Sequence, residues 1–226
     1  MTNFKDTYRH RGMRRQLIKA LRLKGIENER LLEVMGTLPR HFFFDTGFDD
    51  WAYKDVAFPI GEEQTISQPY TVAYQTNLLE VQRNDKILEV GTGSGYQAAI
   101  LYELGARVYT IERHESLYEK TSKRLRELGF DRIRTYLGDG YKGLPRFAPF
   151  DKILITAAPD TIPEELQNQL APGGYLVCPL GGQNESQQMI RLTKTDHQPK
   201  IERFDYFRFV PMVKGVSRDP GSGTRG

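Results

Sequence analysis

Short apolar runs that end in turn residues alternate with stretches of helical periodicity through most of the chain. The run 86–90 stops in a glycine-rich turn, and the Ala/Leu-rich stretch 97–104 follows that turn. Short apolar runs of this kind are typical of buried strands. Ala/Leu-rich stretches of this kind are typical of helices. The same signals predict a helix at 162–170 and strands at 107–112, 133–139, 150–158, 175–180, 188–195 and 201–213. We therefore expect an α/β fold with seven strands, the last two antiparallel in part.

A different pattern precedes the first strand. Apolar residues stand at helical spacing among seven basic residues, which are Arg9, Arg11, Arg14, Arg15, Lys19, Arg22 and Lys24. This pattern predicts an amphipathic helix with one basic face. A solvated face is the preferred interpretation, and contact with nucleic acid or an acidic protein surface is the alternative. Further helices are predicted at 28–37 and 71–79.

The segment 42–53 is rich in aromatic residues set among turn residues. Aromatic side chains bury large apolar areas, and they also line substrate clefts. Packing of this loop against the core is favoured over a cleft.

Composition restricts the class of protein. The chain has 226 residues, 38% of them hydrophobic, a net charge of +3 and a mean hydropathy of −0.56, which suit one domain with extensions. No apolar run approaches the roughly 18 residues of a membrane span. No export signal is visible and the single Cys178 cannot form an internal disulfide, so a cytoplasmic location is expected. The predicted parts are an N-terminal helical extension with the substrate segment (1–80), a core (81–216) and a disordered tail (217–226).

The turn after the first core strand has the character of a ligand cradle. Its glycines, Gly91, Gly93 and Gly95, let the backbone approach a ligand, and the following helix directs free N–H groups at the same place. A dinucleotide fingerprint has glycine where this chain has Tyr96, so the turn speaks against NAD as the ligand. Glu89 before the turn would repel a pyrophosphate and attract a cation such as the sulfonium of S-adenosylmethionine. A tight turn with no ligand is the open alternative.

Two further strands end in acids. Glu112 lies 21 residues beyond Gly91, a spacing at which an acid accepts hydrogen bonds from ribose hydroxyls in doubly wound folds. Asp139 ends the next strand, where the adenine edge is expected. A helix N-cap or a solvated loop acid is the alternative for each residue taken singly.

Four motifs in this order resemble the protein-L-isoaspartate O-methyltransferases, and most closely their bacterial branch. They are Leu-Pro-Arg-His-Phe-Phe at 38–43, the segment 59–70 with Thr-Ile-Ser-Gln-Pro, the glycine turn 88–96, and Phe-Val-Pro-Met at 209–212. The glycine turn is common to many methyltransferases, whereas Thr-Ile-Ser-Gln-Pro and Phe-Val-Pro are narrower signatures. The resemblance covers about residues 14 to 213.

The resemblance implies a Rossmann-like fold, with a seven-stranded, largely parallel sheet and helices on both faces, that binds S-adenosylmethionine. The implied reaction is methylation of the free α-carboxylate of L-isoaspartyl residues in damaged proteins and peptides, with D-aspartyl residues left open, by a monomer. Ser67 is the implied active-site residue. The cofactor residues, partly implied by the resemblance, are Gln64, Thr65, Ile66, Ser67, Glu89, Gly91, Thr92, Gly93, Ser94, Gly95, Glu112 (ribose), Asp139 and Gly140 (adenine), and Gln188, whose match is loose.

Other classes fit the residues less well. An RNA or DNA methyltransferase acting on an exocyclic amine would show Asn or Asp, two prolines and an aromatic residue after the fourth strand, where this chain has Ala-Ala-Pro-Asp at 157–160. A methyltransferase for a small-molecule carboxylate and a non-catalytic regulatory module are further alternatives. No metal is expected, because His10, His41, His114 and His197 lack ligand spacing and suit surface or packing positions. Nucleic acid is not expected as a partner, since the motif of the exocyclic-amine enzymes is absent.

Overall fold

The computed structural model describes residues 4–182 and 185–218. The helices are α1 (Tyr8–Leu23), α2 (Glu29–Thr37), α3 (Pro69–Leu79), α4 (Tyr96–Glu103), α5 (Glu115–Glu127) and α6 (Glu164–Asn168), with 3-10 turns at Arg40–Phe43 and Pro145–Phe147. The strands are β1 (Phe58–Gly61), β2 (Gln64–Ile66), β3 (Lys86–Val90), β4 (Arg107–Glu112), β5 (Arg134–Leu137), β6 (Phe150–Ile155), β7 (Leu170–Leu180), β8 (Gln187–Thr193) and β9 (Lys200–Phe207). None of the described helices is both long and apolar enough to cross a membrane.

The main sheet has seven strands in the order β5-β4-β3-β6-β7-β8-β9, and β1 and β2 form a separate hairpin. Strands β3 to β7 pair in parallel, whereas β8 is antiparallel to both of its neighbours. The chain runs outward from β3 through β4 to β5 and then returns to β6 on the other side of β3. Loops leave the carboxyl ends of β3 and β6 in opposite directions, which opens a crevice where ligands commonly bind. The predicted seven-stranded, largely parallel sheet is confirmed.

Alternation along the strands divides the apolar residues between two faces. Ile87 and Leu154 belong to one core cluster with residues of α1 to α4, whereas Leu88 and Ile153 belong to a second cluster with Leu166 of α6. Successive side chains of a strand point to opposite faces, so strands buried on both sides need apolar residues throughout. The predicted helices on both faces are confirmed.

Some bounds differ from the sequence prediction. Helix α5 was not predicted, because two of its four buried positions are the polar residues Thr121 and Ser122, which hide the apolar periodicity of Leu117 and Leu125. The helix predicted at 162–170 is shorter, since Pro163 precedes its first turn and β7 begins at Leu170. Ser217, the first residue of the predicted tail, forms a bridge with His114, and residues 219–226 lie outside the described residues. The boundaries predicted for the two larger parts stay predictions.

The expectation of a solvated basic face on α1 is wrong for Arg14. This residue is 5% exposed, and its guanidinium donates to both carboxylate oxygens of Asp6, at 3.1 and 2.9 Å, to Tyr53 Oη and to the Gly36 carbonyl. These bonds and the Asp6 charge offset the cost of burying the cation. The other basic residues of the face are exposed, as expected.

His10 and His41 are distant in sequence, but their ring centroids lie 3.9 Å apart in the N-terminal layer. Ligand atoms of these two residues and Asp6 lie within 4.8 Å of one another, a grouping that could hold a metal ion. The atoms already have protein partners, however. His41 contacts Tyr53 Oη and the Lys5 carbonyl, and Asp6 is bound by Arg14. We therefore interpret this group as a hydrogen-bonded packing cluster.

The aromatic segment 42–53 packs mainly against the core, as predicted. Phe43, Phe44 and Tyr53 are buried in the first core cluster, and Phe43 contacts the ring of Tyr96 edge-on. This packing fixes the segment that lies between α2 and the hairpin.

Arg14→Glu should lower the free energy of unfolding by about 2–4 kcal/mol, because it removes the buried guanidinium and places a second carboxylate beside Asp6. The exposed neighbour supplies the control, since Arg15→Glu should change stability by less than about 0.5 kcal/mol. Urea denaturation of the two variants measures both values. Equal effects at the two positions would contradict the buried ion pair.

Candidate active site at the carboxyl edge of the sheet

A cavity of about 680 Å³ lies at the carboxyl ends of β3, β4 and β6, beneath the β1–β2 hairpin. Its volume is within the range of cofactor and ligand pockets, roughly 300–1,000 Å³. Most of the predicted site residues line it, namely Gln64, Thr65, Ile66, Ser67, Gly91, Thr92, Gly93, Ser94, Glu112 and Gly140. The fold thus brings together segments that are as many as 76 positions apart, from Gln64 to Gly140.

The glycine turn forms one wall of the cavity. Gly91 has φ 100°, and a Cβ there would come within 2.4 Å of Thr156 Oγ1 on the neighbouring segment after β6. Gly95 has φ 85° and precedes the first turn of α4, where a Cβ would come within 2.8 Å of Thr121. Both positions therefore require glycine for backbone conformation and for space. The turn is packed from outside, which leaves its inner surface to the cavity.

Glu112 is held at the end of β4 by backbone N–H groups. One carboxylate oxygen accepts from Gly93 N at 2.9 Å, and the other from Arg113 N at 2.8 Å and His114 N at 3.0 Å. A carboxylate has about four lone-pair positions, so three bonds leave room for a ligand hydroxyl. Glu112 is 5% exposed and lines the cavity, a position that suits the predicted ribose contact.

Glu89 does not reach the cavity, and its predicted attraction for a sulfonium finds no support in this geometry. The side chain is fully buried, and Oε2 accepts from Thr110 Oγ1 at 2.5 Å. Burial raises the pKa of Glu89 to about 8, and the nearby charge of Glu112 adds to this effect. The carboxyl group is therefore mostly protonated at neutral pH. Its Oε2 is hydrogen-bonded within the sheet, whereas Oε1 is buried without a partner among the described residues.

Ser67 lies between the end of β2 and the start of α3, and it lines the cavity half-buried. It does not cap the helix: the N-cap position belongs to Gln68, while Asp55 Oδ1 accepts from Tyr70 N in the first turn. Among the described residues, no side chain or backbone group hydrogen-bonds to Ser67 Oγ. The hydroxyl is therefore available to a ligand.

The hairpin that carries Ser67 also closes the cavity on its cofactor side. Its tip residue Glu62 has φ 51° and accepts a hydrogen bond from Ser116 Oγ at 2.8 Å, at the start of α5. Ile60 packs over Gly93, since a Cβ on that glycine would lie 3.5 Å from Ile60 Cδ1. The hairpin thus spans the two parallel strands β3 and β4 at the carboxyl edge.

Besides Glu89, three predicted cofactor residues lie outside the cavity lining, namely Gly95, Asp139 and Gln188. Asp139 Oδ1 accepts from Tyr141 N at 2.9 Å within a turn, and only its neighbour Gly140 reaches the cavity. The side chain of Gln188 contacts the Phe204 carbonyl and Arg203 on the neighbouring strand. The structure therefore offers neither side chain to the cavity, although both residues lie at its border.

Gln187, the neighbour of the predicted cofactor residue Gln188, supports the cavity wall through its side-chain amide. It is 1% exposed, its amide donates to the carbonyls of Gly182 and Glu185, and its Oε1 accepts from Phe209 N at 2.9 Å. Neighbouring strand residues point to opposite faces, so an error of one position exchanges a cavity support for a sheet contact.

The sequence reasoning also missed lining residues. The segment 206–213 forms a wall opposite the hairpin, and it is tied to Ala158 by backbone bonds from Met212 N and to Val210 O, each 2.8 Å long. Gln97 lines the cavity from α4, and its Oε1 is buried without a hydrogen-bond partner among the described residues. The Phe-Val-Pro-Met motif could have indicated the first wall, whereas no local signal marks Gln97.

A family model described as protein-L-isoaspartate(D-aspartate) O-methyltransferase (PCMT) matches residues 12–217. The chain belongs to this family. Curated members named protein-L-isoaspartate O-methyltransferase agree along nearly the whole length. The chain is 50% identical to one from Christiangramia forsetii over 93% of its own length and 98% of the relative. It is 52% identical to one from Cytophaga hutchinsonii over 92% of the chain and 94% of the relative.

Solved structures of this family have the same fold. One named protein-L-isoaspartate O-methyltransferase matches with a TM-score of 0.81 and 25% identity, covering 90% of this chain and 67% of the other. A Plasmodium falciparum structure, described as such an enzyme in complex with S-adenosyl-L-homocysteine, matches with a TM-score of 0.78 and 21% identity over 89% and 99% of the two chains. The predicted methyltransferase fold is confirmed.

The burial of Glu89 predicts a pH-dependent stability. Between its ordinary pKa of 4.5 and about 8, the folded chain holds a proton that the unfolded chain releases, so its contribution to stability falls as pH rises through this window. Glu89→Gln cannot titrate. As pH rises through this window, the free energy of unfolding of the variant should therefore increase relative to that of the wild type by roughly 1.4 kcal/mol per pH unit.

Denaturant unfolding at several pH values without ligand measures this difference. The exposed Glu119→Gln variant supplies the control and should show none of this trend. A constant difference between wild type and Glu89→Gln from pH 5 to 8 would contradict a protonated Glu89.

Proposed function

We propose that the chain transfers the methyl group of S-adenosylmethionine to the free α-carboxylate of L-isoaspartyl residues in damaged proteins and peptides. The resulting ester closes to a succinimide, whose hydrolysis returns part of the residues to aspartate. One observation carries the proposal within this family: the hydroxyl of Ser67, from the Thr-Ile-Ser-Gln-Pro motif, faces the same cavity as the glycine turn and Glu112.

The cavity residues fit S-adenosylmethionine. Gly91 and Gly93 line the cavity with backbone alone, and Glu112 has acceptor capacity for a ribose hydroxyl. Gly140 lies against Val90 and Met212, where a Cβ would approach Val90 Cγ1 within 2.6 Å, so this end of the cavity is narrow and apolar, as a flat adenine ring requires. Gln64, Thr65 and Ile66 are the residues proposed for the methyl end.

The cofactor supplies an electrophilic methyl group on a sulfonium. The acceptor carboxylate has a solution pKa of roughly 4, so it is ionised at neutral pH and requires no general base. The chain must therefore orient the acceptor and exclude water. The neutral hydroxyl of Ser67 can donate one hydrogen bond to the carboxylate and leave its other lone pairs free for attack.

The surroundings of Ser67 suit this reaction. Positive and negative charge disappear together in the transfer, which favours a site with few solvent dipoles and modest donors. Ile66 is buried, and the wall 206–213 adds apolar surface from Phe209, Val210 and Met212. A cytoplasmic location, a monomeric state and the absence of nucleic acid binding stay predictions, and activity on D-aspartyl residues stays open.

The wild-type protein should transfer labelled methyl groups from S-adenosylmethionine to an isoaspartyl peptide in base-labile form, and not to the matched aspartyl peptide. Ser67→Ala should lower kcat/KM roughly 5- to 150-fold, which corresponds to a loss of about 1–3 kcal/mol of transition-state stabilisation, with little change in cofactor affinity. The rate should stay flat between about pH 6 and 8, because no group on the proposed path titrates there.

Ser122→Ala supplies the control, since Ser122 bonds to Thr135 away from the cavity. Equal methylation of the two peptides would refute the acceptor. A rise of the rate with pH that disappears in Ser67→Ala would show that Ser67 transfers a proton, contrary to the orienting role.

A further inference from the structure

Arg40 lies behind the wall of the cavity and contacts Ser67 directly. It is 1% exposed, and its guanidinium donates from Nε to the Ala52 carbonyl and from Nη2 to the Ser67 carbonyl, each at 2.8 Å. The same group lies over the ring of Tyr96, 4.7 Å from its centroid, and 5.5 Å from that of Phe44. One side chain thus joins the acceptor segment to the first residue of α4 after the glycine turn.

No carboxylate contacts the guanidinium of Arg40 among the described residues, and Asp55 stabilises its charge only from a longer distance. Within the described part of the chain, Arg40 forms no ion pair, and its Nη1 is buried without a hydrogen-bond partner. Burial lowers the pKa of Arg40 to about 10, so the group is still a cation at neutral pH. A buried cation without a direct ion pair is costly, which distinguishes Arg40 from Arg14 and its partner Asp6.

We propose that Arg40 is a positioning residue for methyl transfer, which holds Ser67 in place through its carbonyl and balances the charge of the acceptor carboxylate from behind the cavity wall. This inference rests on the proposed function, because that function supplies the anion. The Ser67 carbonyl bond restricts the backbone on one side of Cα. This bond limits the movement of Cα, and χ1, which has three staggered values, then sets most of the remaining freedom of Oγ.

The indirect position of Arg40 suits the chemistry. A guanidinium bound directly to the acceptor would occupy its lone pairs and weaken it as a nucleophile. From behind Ser67, the charge attracts the anion through a water-poor region, where electrostatic interactions are stronger than in water. Cation–π contacts with Tyr96 and Phe44 keep the guanidinium in place while the cavity is empty.

Two substitutions separate the two roles. Arg40→Lys keeps the charge but cannot make both carbonyl bonds in the same geometry, so kcat should fall about 10-fold while KM for the isoaspartyl peptide changes less than about threefold. Arg40→Gln also loses the charge, so KM should rise about 10-fold in addition. Binding of S-adenosylhomocysteine by calorimetry should change less than about twofold in both variants. Arg14→Lys, at the other buried arginine, should leave kcat and KM unchanged in the folded protein.

A double-mutant cycle tests whether Arg40 acts through Ser67. If it does, adding Arg40→Lys to Ser67→Ala should lower kcat by less than about twofold further. If the losses in kcat of the two single variants multiply in the double variant, or if kcat and KM are unchanged in both Arg40 variants, the assignment is overturned while the proposed function stays intact. A wild-type protein without activity on isoaspartyl peptides would overturn both.

If the Arg40 variants do not fold, a measurement on the wild-type protein tests the role of Arg40. With S-adenosylhomocysteine present, the Nε–H NMR signal of Arg40 should shift when isoaspartyl peptide is added, whereas that of Arg14 should not. A fixed Arg40 signal at saturating peptide would overturn the assignment.

Discussion

The site depends on the three backbone hydrogen bonds that Glu112 accepts where β3 and β4 end side by side. The bond from Gly93 joins the glycine turn to β4, and the bonds from Arg113 and His114 set the direction in which the chain leaves that strand. One carboxylate therefore fixes both loops that form the base of the cavity. Its orientation is established before any ligand arrives, which reduces the cost of ordering the site on binding.

Residues with a local reason for their position were predictable from the sequence. Gly91 and Gly95 need backbone conformations and space that only glycine provides, and Glu112 must end a strand that is parallel to its neighbour. All seven strands of the sheet were predicted, and the central strands β3, β4 and β6 were the clearest because a strand buried on both faces has little choice of residue. The placement of Ser67 came from the motif alone, since its role depends on a cavity that three distant segments complete.

Residues whose role depends on contacts between distant segments were missed or misread. Arg14 has the periodicity of an exposed face, and only Asp6 and Tyr53, 8 and 39 positions away, explain its burial. Glu89 looked like a charged cavity residue, but the pleat directs it into the sheet beside Thr110. Such cases differ from neighbouring residues by direction and not by composition, so a pattern of residue types cannot separate them.

Calorimetric titration of S-adenosylhomocysteine into the wild type and Glu112→Ala tests the central role of this carboxylate most directly. Removing the ribose acceptor and releasing three backbone N–H groups should weaken binding by roughly 2–3 kcal/mol, while Glu119→Ala, an exposed acid on α5, should bind like the wild type. A thermal melt confirms that the compared proteins are folded. Unchanged affinity in folded Glu112→Ala would contradict the account, because it would remove Glu112 from the cofactor site.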